Sequence, residues 1–360
     1  MTEVPAGGTT LAGRGGARLG RLLRELLRLA VTLALTLLGL VLVTFVIGRV
    51  VPIDPVLAVV GDRASAETYA RVRQEMGLDL PLLEQFWNYL LRVLRGDFGT
   101  AVISSRPVLD DLLRVFPATF ELATAATLLG TLLGVPLGVV AATHQGRWQD
   151  QLIRVVALVG YSVPVFWLGL VGLLVFYAQL DWLPGPGQLD IYYEGLVAPV
   201  TGLITVDALL AGEHEVFWNA LHHLVLPAGL LGYISLAYIA RMTRSFMIGQ
   251  LRQEYITVAR VKGLSECRVV WRHAFGNILV PLLTVIVLSY AALLEGAVLT
   301  ETVFAWPGLG LYITQSLFNA DLNAVLGGTI LIGSLFILLN LLSDLLYRLL
   351  DPRTRGEGRR

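Results

Sequence analysis

Cysteine, lysine and charge are all scarce in this 360-residue chain. The single cysteine, Cys267, excludes an internal disulfide and any cysteine-based metal cluster. No glycine-rich phosphate loop ending in Lys-Ser or Lys-Thr occurs, so if ATP is used another chain binds it. Charged residues make up 15% of the chain, where a soluble globule carries about a quarter. In their place stand 55% hydrophobic residues and a mean hydropathy of +0.70, which puts the chain in the membrane class. The stretches 181–222 and 303–323 contain neither lysine nor arginine. No internal repeat is visible. The adjacent pair His222 and His223 lacks a spaced third histidine, and neighbours on a helix point about 100° apart, which argues against joint metal ligation.

A helix needs about 20 apolar residues to cross the hydrocarbon core. Six uncharged runs qualify: 29–47, 122–143, 155–180, 216–240, 274–294 and 322–343. With their flanks the spans are placed at 29–50, 118–143, 152–180, 224–247, 277–303 and 322–350, the fourth starting after the two histidines and carrying Arg241 and Arg244 where they can snorkel to headgroups. The first run follows five arginines between 14 and 28. It is longer than a signal-peptide core and lacks a small-x-small cleavage site, so it reads as a retained anchor.

Orientation follows from the basic residues. With the N-terminus inside, 1–28, 144–154, 241–272 and 348–360 hold 19 of the 27. The other eight run from Arg49 to Arg114, at the edge of and within the long outer loop 51–116, where nine acids balance them. Both termini are therefore expected in the cytoplasm, including the tail 351–360. Within the outer loop, 82–95 repeats apolar positions at helical spacing and predicts an amphipathic helix on the membrane surface or against the bundle.

The most informative segment, EYITVARVKGLSECRVVWRHAFGNILVP at 254–281, lies between spans four and five on the inner side. It reads as a helix, a glycine, and a second helical stretch with a basic rim of Arg260, Lys262, Arg268 and Arg272. Small Ala259 and flexible Gly263 would admit another protein's surface. Spacing and charge alone leave two readings open: a docking lever, and an ordinary positive-inside loop.

The segment resembles the cytoplasmic coupling loop of ATP-binding-cassette importer permeases in its dipeptide and oligopeptide form. Glu254, Tyr255, Ala259, Arg260, Lys262, Gly263, Leu264, His273, Ala274, Asn277 and Pro281 carry the likeness. The wider superfamily has Glu-Ala-Ala three residues before the glycine; Thr257-Val258-Ala259 stands here, and Pro281 comes later than the general proline. Further likenesses run in order along the chain: Asp54-Pro55, Arg95–Thr100, Pro117–Leu122, Ser162–Gly169, Arg241–Ser245, Glu301–Gly310, and Asn340 with Asp344, Asp351, Pro352 and Arg353. The resemblance implies an all-α type I importer transmembrane domain over 117–350 and a coupling loop at 248–276. It implies Glu254, Tyr255, Ala259, Arg260, Lys262, Gly263 and Leu264 as the ATPase-coupling residues. It also implies partners: a second homologous permease chain, two ATPase subunits that hold ATP and Mg, and an extracytoplasmic solute-binding protein. The membrane would be the bacterial or archaeal inner membrane. No cofactor, metal, catalytic residue or nucleic acid is expected for this chain itself. Short peptides are the expected solute, with nickel complexes, glutathione and opines as alternatives within the family.

Pathway and gate candidates are Pro164, Phe166, Trp167, Glu295, Glu301, Phe304 and Trp306. Pro136 and Pro164 fall inside spans two and three, where proline frees a carbonyl and kinks a helix; an ordinary tolerated membrane proline is the other reading. Trp306-Pro307-Gly308 must end span five in a turn at the outer mouth, as a gate, a seat for the binding protein, or simply a tight turn. Glu295 is an ionisable residue late in span five and reads either as a contact for a cationic solute group or as a wet acid near the interface. Glu121 reads as a favourable acid at the N-terminus of span two. A secondary transporter would show inverted repeats and coupling-ion residues at the midplane, which are not found. A non-transport scaffold would have no use for the segment at 254–281.

Overall fold

A computed structural model describes residues 11–50, 55–61 and 63–350. The tail 351–360, with Asp351, Pro352 and Arg353, lies outside the described residues, as do Asp54 and the first ten residues. Among the described residues the architecture is all-helical, with one isolated bridge between Thr100 and Pro107. In order, the helices are α1 (Leu11–Val50), α2 (Pro55–Val60), α3 (Ala66–Glu75), α4 (Leu82–Leu94), α5 (Val108–Thr143), α6 (Trp148–Ser162), α7 (Val165–Gly172, continued by a π-turn at Leu173–Gln179), α8 (Ile204–Ala211), α9 (His214–Leu251), α10 (Glu254–Val261), α11 (Glu266–Arg268), α12 (Leu279–Val303), α13 (Leu309–Phe318) and α14 (Leu322–Leu350). We call the bundle end holding residues 252–278 basal and the end holding 304–321 apical.

Helices α5 and α9 form the central pair. Gly130, Gly134 and Gly138 recur every fourth residue on α5, and a methyl group on Gly134 would lie 3.0 Å from the Leu236 carbonyl and 3.2 Å from Ile239. This is the small-residue spacing that lets two membrane helices approach backbone to backbone. Around the pair, Leu122, Ala126, Leu231, Leu294 and Trp306 build the middle of the core. Val139, Ile239, Met247, Ile256, Val269 and Ile278 build its basal end.

Among the described residues five helices are long and apolar enough to cross a membrane, and six if the pair α6 and α7, bent by 101° at its break, is one span. Span three was expected as a run with a kink; it is a break. Pro164 supplies no amide hydrogen, and its ring forces the preceding Val163 to φ −94° and ψ 131°, outside the helical region. Pro117, Pro136 and Pro227, by contrast, sit inside uninterrupted helices. Helix α9 begins at His214, ten residues before the expected span, because hydropathy marks the hydrocarbon crossing and not the helix end. The amphipathic helix α4 packs on the apical end of α1, where Phe86 meets Phe45 edge-on at 5.4 Å and the Tyr89 hydroxyl lies 3.4 Å from Thr44 Oγ1. Its Leu82, Leu83, Trp87 and Leu94 stay exposed, as a membrane-surface helix requires.

Candidate functional site

The basal segment folds as two short helices around one glycine. α10 ends at Val261 with Lys262 as its C-cap, and Gly263 follows at φ +75°, the left-handed region that glycine enters without a Cβ penalty. The Gly263 amide donates to the Arg260 carbonyl at 2.9 Å and the Leu264 amide to the Ala259 carbonyl at 3.3 Å. These two bonds make a Schellman cap, completed by Leu264 folding onto the basal core. Nothing lies within 4 Å of a Cβ built on Gly263, so the turn and not crowding within the chain demands glycine there. Ile256 is fully buried and Ala259 nearly so. The smallness of Ala259 thus serves the chain's own core, and not the external approach that the sequence suggested.

A polar clasp joins the two halves of the segment. Asn277 Nδ2 donates to the Tyr255 hydroxyl at 3.0 Å and to the His273 carbonyl at 2.9 Å, while the Tyr255 hydroxyl donates to Gln250 Oε1 at 2.9 Å. The motif residues Tyr255, His273 and Asn277 therefore meet in space. Arg260 grips Glu266 with two nitrogens at 2.8 and 3.2 Å, and that guanidinium holds the Glu266 carboxyl below the usual carboxylate range. Glu254 is exposed at the start of α10, and Lys262 is exposed, its side chain without a hydrogen bond or ion pair among the described residues.

The segment hangs from α9, which is locked to α6 just above it. Arg244 donates to both oxygens of Asp150 at 2.6 and 2.7 Å, and the Gly146 amide adds a third bond at 2.9 Å. Arg244 was expected to snorkel; the buried Asp150 carboxylate holds it inside the bundle instead. Arg241 stacks its guanidinium 4.6 Å from the Tyr161 ring.

At the apical end, two glutamates from long helices cap short ones. Glu301 is fully buried and accepts from Thr119 Oγ1 at 2.7 Å, from the Gly310 amide at 2.6 Å and from the Leu311 amide at 3.1 Å. It thereby closes the N-terminus of α13. Trp306, also fully buried, donates its indole N–H to the Ala118 carbonyl at 2.9 Å. Glu121 is not at a helix N-terminus, because α5 begins at Val108. It lies well inside α5 and accepts from the Thr205 amide at 3.1 Å, the Thr205 hydroxyl, and Gln188 Nε2 at 3.0 Å, capping α8. Asp207 takes amides from Val200, Thr201 and Gly202 and the Thr201 hydroxyl at 2.7–3.1 Å. Burial pushes its carboxyl up, but those four bonds outweigh it and hold the carboxyl below the ordinary range. Asp321 accepts the Val102 amide at 2.6 Å and the Ala324 amide at 3.2 Å.

The pathway candidates separate into two groups. Glu301, Phe304 and Trp306 are buried in the apical cap, where the Gly187 amide donates to the Phe304 carbonyl at 2.8 Å. Pro164 stands at the break, and Phe166 and Trp167 follow half-exposed on α7. Glu295 is exposed on α12, its side chain with no hydrogen bond or ion pair among the described residues. The apical carboxylate network was not anticipated, though a signal existed. Acids in stretches that hold no lysine or arginine need amide partners once they are buried.

Comparison with known proteins supplies the family. Residues 134–356 match the profile of the binding-protein-dependent transport system inner membrane component, and residues 22–123 match its N-terminal companion. The chain is 45% identical over 327 residues to the probable D,D-dipeptide transport system permease protein DdpB of Escherichia coli, covering 91% of this chain and 96% of that one. It is 42% identical over 323 residues to the di/tripeptide transport system permease protein DppB of Pseudomonas aeruginosa, covering 89% and 96%. Its fold is similar to a chain of the inward-facing methionine ABC transporter MetNI, with a TM-score of 0.51 at 16% identity over 67% of this chain and 96% of that one.

Proposed function

Because this chain belongs to the family of binding-protein-dependent transport system inner membrane components, we propose that it forms half of the pathway of an ATP-driven importer of short peptides. It is a multi-pass membrane permease and does no chemistry of its own. The observation that carries the proposal is the basal segment 254–278, folded in advance as a rigid cationic turn between two membrane helices. Its apolar side is spent on the core beneath, and Lys262 and the capped turn at Gly263 project from it. A separate ATPase subunit docks there, so the basal end and both termini face the cytoplasm, as the arginine distribution requires. A binding protein delivers peptide to the apical end, and a second, related permease chain completes the pathway. ATP acts by favouring one of two arrangements of the pair through this segment. Force on it reaches α9 and α12 directly, and reaches α6 through the Asp150–Arg244 lock.

Co-purification tests the docking. Gly263→Asp strains the left-handed turn, and Lys262→Glu reverses one charge without touching the backbone. Both variants should reach the membrane with the partner permease yet lose the ATPase chains and ATP-dependent peptide uptake. Assembly and uptake retained in both variants would refute the assignment.

A further inference from the structure

A cavity of about 610 Å³ opens at the apical end, between the last turn after α7, the turn at 183–187 and the start of α9. It falls within the range of 300–1,000 Å³ usual for small-ligand sites. Three carboxylates, Asp181, Asp190 and Glu194, line it together with the rings of Tyr177 and Trp182. No lysine or arginine occurs between residues 181 and 222 to neutralise them. Asp190 is held in place by Asn219 Nδ2 at 2.6 Å and by His223 Nε2 at 3.3 Å. Asp181 and Glu194 are exposed, and their side chains make no hydrogen bond or ion pair among the described residues. His223 also lines the cavity, is 5% exposed, and leaves its Nδ1 buried without a partner among the described residues. Unpaired acids beside aromatic faces are the chemistry that holds a small organic cation, by charge and by cation–π attraction.

We propose that this cavity is a reception site for the ammonium group of the incoming solute. The proposal rests on the peptide-import reading, since every unmodified peptide carries that group at its amino terminus. A route inward accompanies the site. Trp167, Leu170, Leu174 and Tyr177 recur at helical spacing, each between 44% and 54% exposed, and run from the break at Pro164 to the cavity wall. The site would hold the charged end while the rest of the solute passes to that stripe.

The test uses the intact complex in nanodiscs without its binding protein, and equilibrium dialysis at pH 7 against two labelled probes. Ala-Ala amide is a monocation; N-acetyl-Ala-Ala amide is its neutral counterpart. The cation should bind and the neutral probe should not. The double variant D181N/E194Q should weaken the cation by about tenfold, the loss expected for two exposed charge contacts. Both substitutions preserve shape, and asparagine tolerates the positive φ of 51° at position 181. Equal binding of the two probes, or unchanged binding in the double variant, overturns the site. So does a double variant that binds the loaded binding protein more weakly while holding the cation as before, because the acids would then serve protein docking. ATP-dependent uptake in proteoliposomes separates this proposal from its premise. Absent uptake by the unaltered complex with cation binding intact would sink the importer reading and not the site.

Discussion

The two ends of the bundle handle charge in opposite ways. At the apical end, Asp207, Glu301 and Asp321 are all but fully buried, and their partners are backbone amides and hydroxyls from the segments they fasten. At the basal end, below the buried Asp150–Arg244 lock, the charges of the segment lie open: Arg260 and Glu266 pair at the surface, and Lys262 is unpaired among the described residues. A carboxylate enclosed by amides fixes the chain that encloses it, because every lost bond leaves an orphan. An exposed cation on a capped turn fixes little within the chain and remains available to something outside it. The buried apical carboxylates are therefore built as a fastening, and the basal segment, like the open acids Asp181 and Glu194, as a presented surface.

The largest effect that would break this contrast is expected at Glu301. Glu301→Ala removes the acceptor for Thr119 Oγ1 and for the Gly310 and Leu311 amides together. The loss should be about 3–4 kcal/mol, read as a lower melting temperature of the purified complex and as loss of the folded permease from the membrane. Glu301→Gln keeps one oxygen for the two amides and can turn its NH2 toward Thr119, so most of that stability should return. Equal damage from both variants would show that charge, and not hydrogen bonding, is what the cap requires.

A smaller effect is expected at Asp207, where both oxygens accept two donors each. An asparagine side chain offers one acceptor oxygen and would set donor against donor on its other side, so Asp207→Asn should cost about 2 kcal/mol of local stability. The pH dependence has a defined sign. The carboxyl's folded pKa lies below the unfolded value of about 3.9. Its contribution is therefore complete above that value and is lost as pH falls through the folded pKa. Limited proteolysis of residues 195–213 at stepped pH should show acid-induced opening of the native loop, and an already open loop in the variant at pH 7. A native loop that stays closed below both pKa values would separate Asp207 from the fastening.

Much of this architecture was legible in the sequence, and the exceptions have physical causes. Six hydrophobic runs located the crossings, since the hydrocarbon core imposes length and apolarity on every span. Helix ends were less legible: α5 starts at Val108 and α9 at His214, both beyond the apolar runs, because a helix can continue into water where hydropathy no longer marks it. Span three read as a kinked run because one proline bends some helices and breaks others; Val163 decides the matter only once its backbone is seen. The segment around Gly263 was legible as a motif, but not that Ala259 and Ile256 face inward. The apical cap was hidden for a different reason. Glu301 and Thr119 stand 182 residues apart, and no local spacing joins them.

The smallest effect sharpens the basal side of the comparison. Arg260 and Lys262 look equivalent in the sequence, two cations flanking one turn, yet the structure separates them. Arg260 is engaged by Glu266 through two nitrogens, with side chains 44% and 65% exposed. Such a pair in water contributes less than about 1 kcal/mol, so Arg260→Gln should barely move the melting temperature. Its influence on docking depends on whether the guanidinium acts alone or as half of the pair. If it acts through Glu266, then Arg260→Gln, Glu266→Gln and the double variant should weaken ATPase retention equally, by no more than a few-fold. If Arg260 instead releases Glu266 and meets the ATPase itself, the Glu266 variant should retain the ATPase as well as the native chain or better, and the Arg260 variant alone should lose it. Lys262→Gln provides the reference, because Lys262 has no partner within the described residues to give up before it meets another chain. The cycle therefore locates the presented surface to one side of the Gly263 turn or to both.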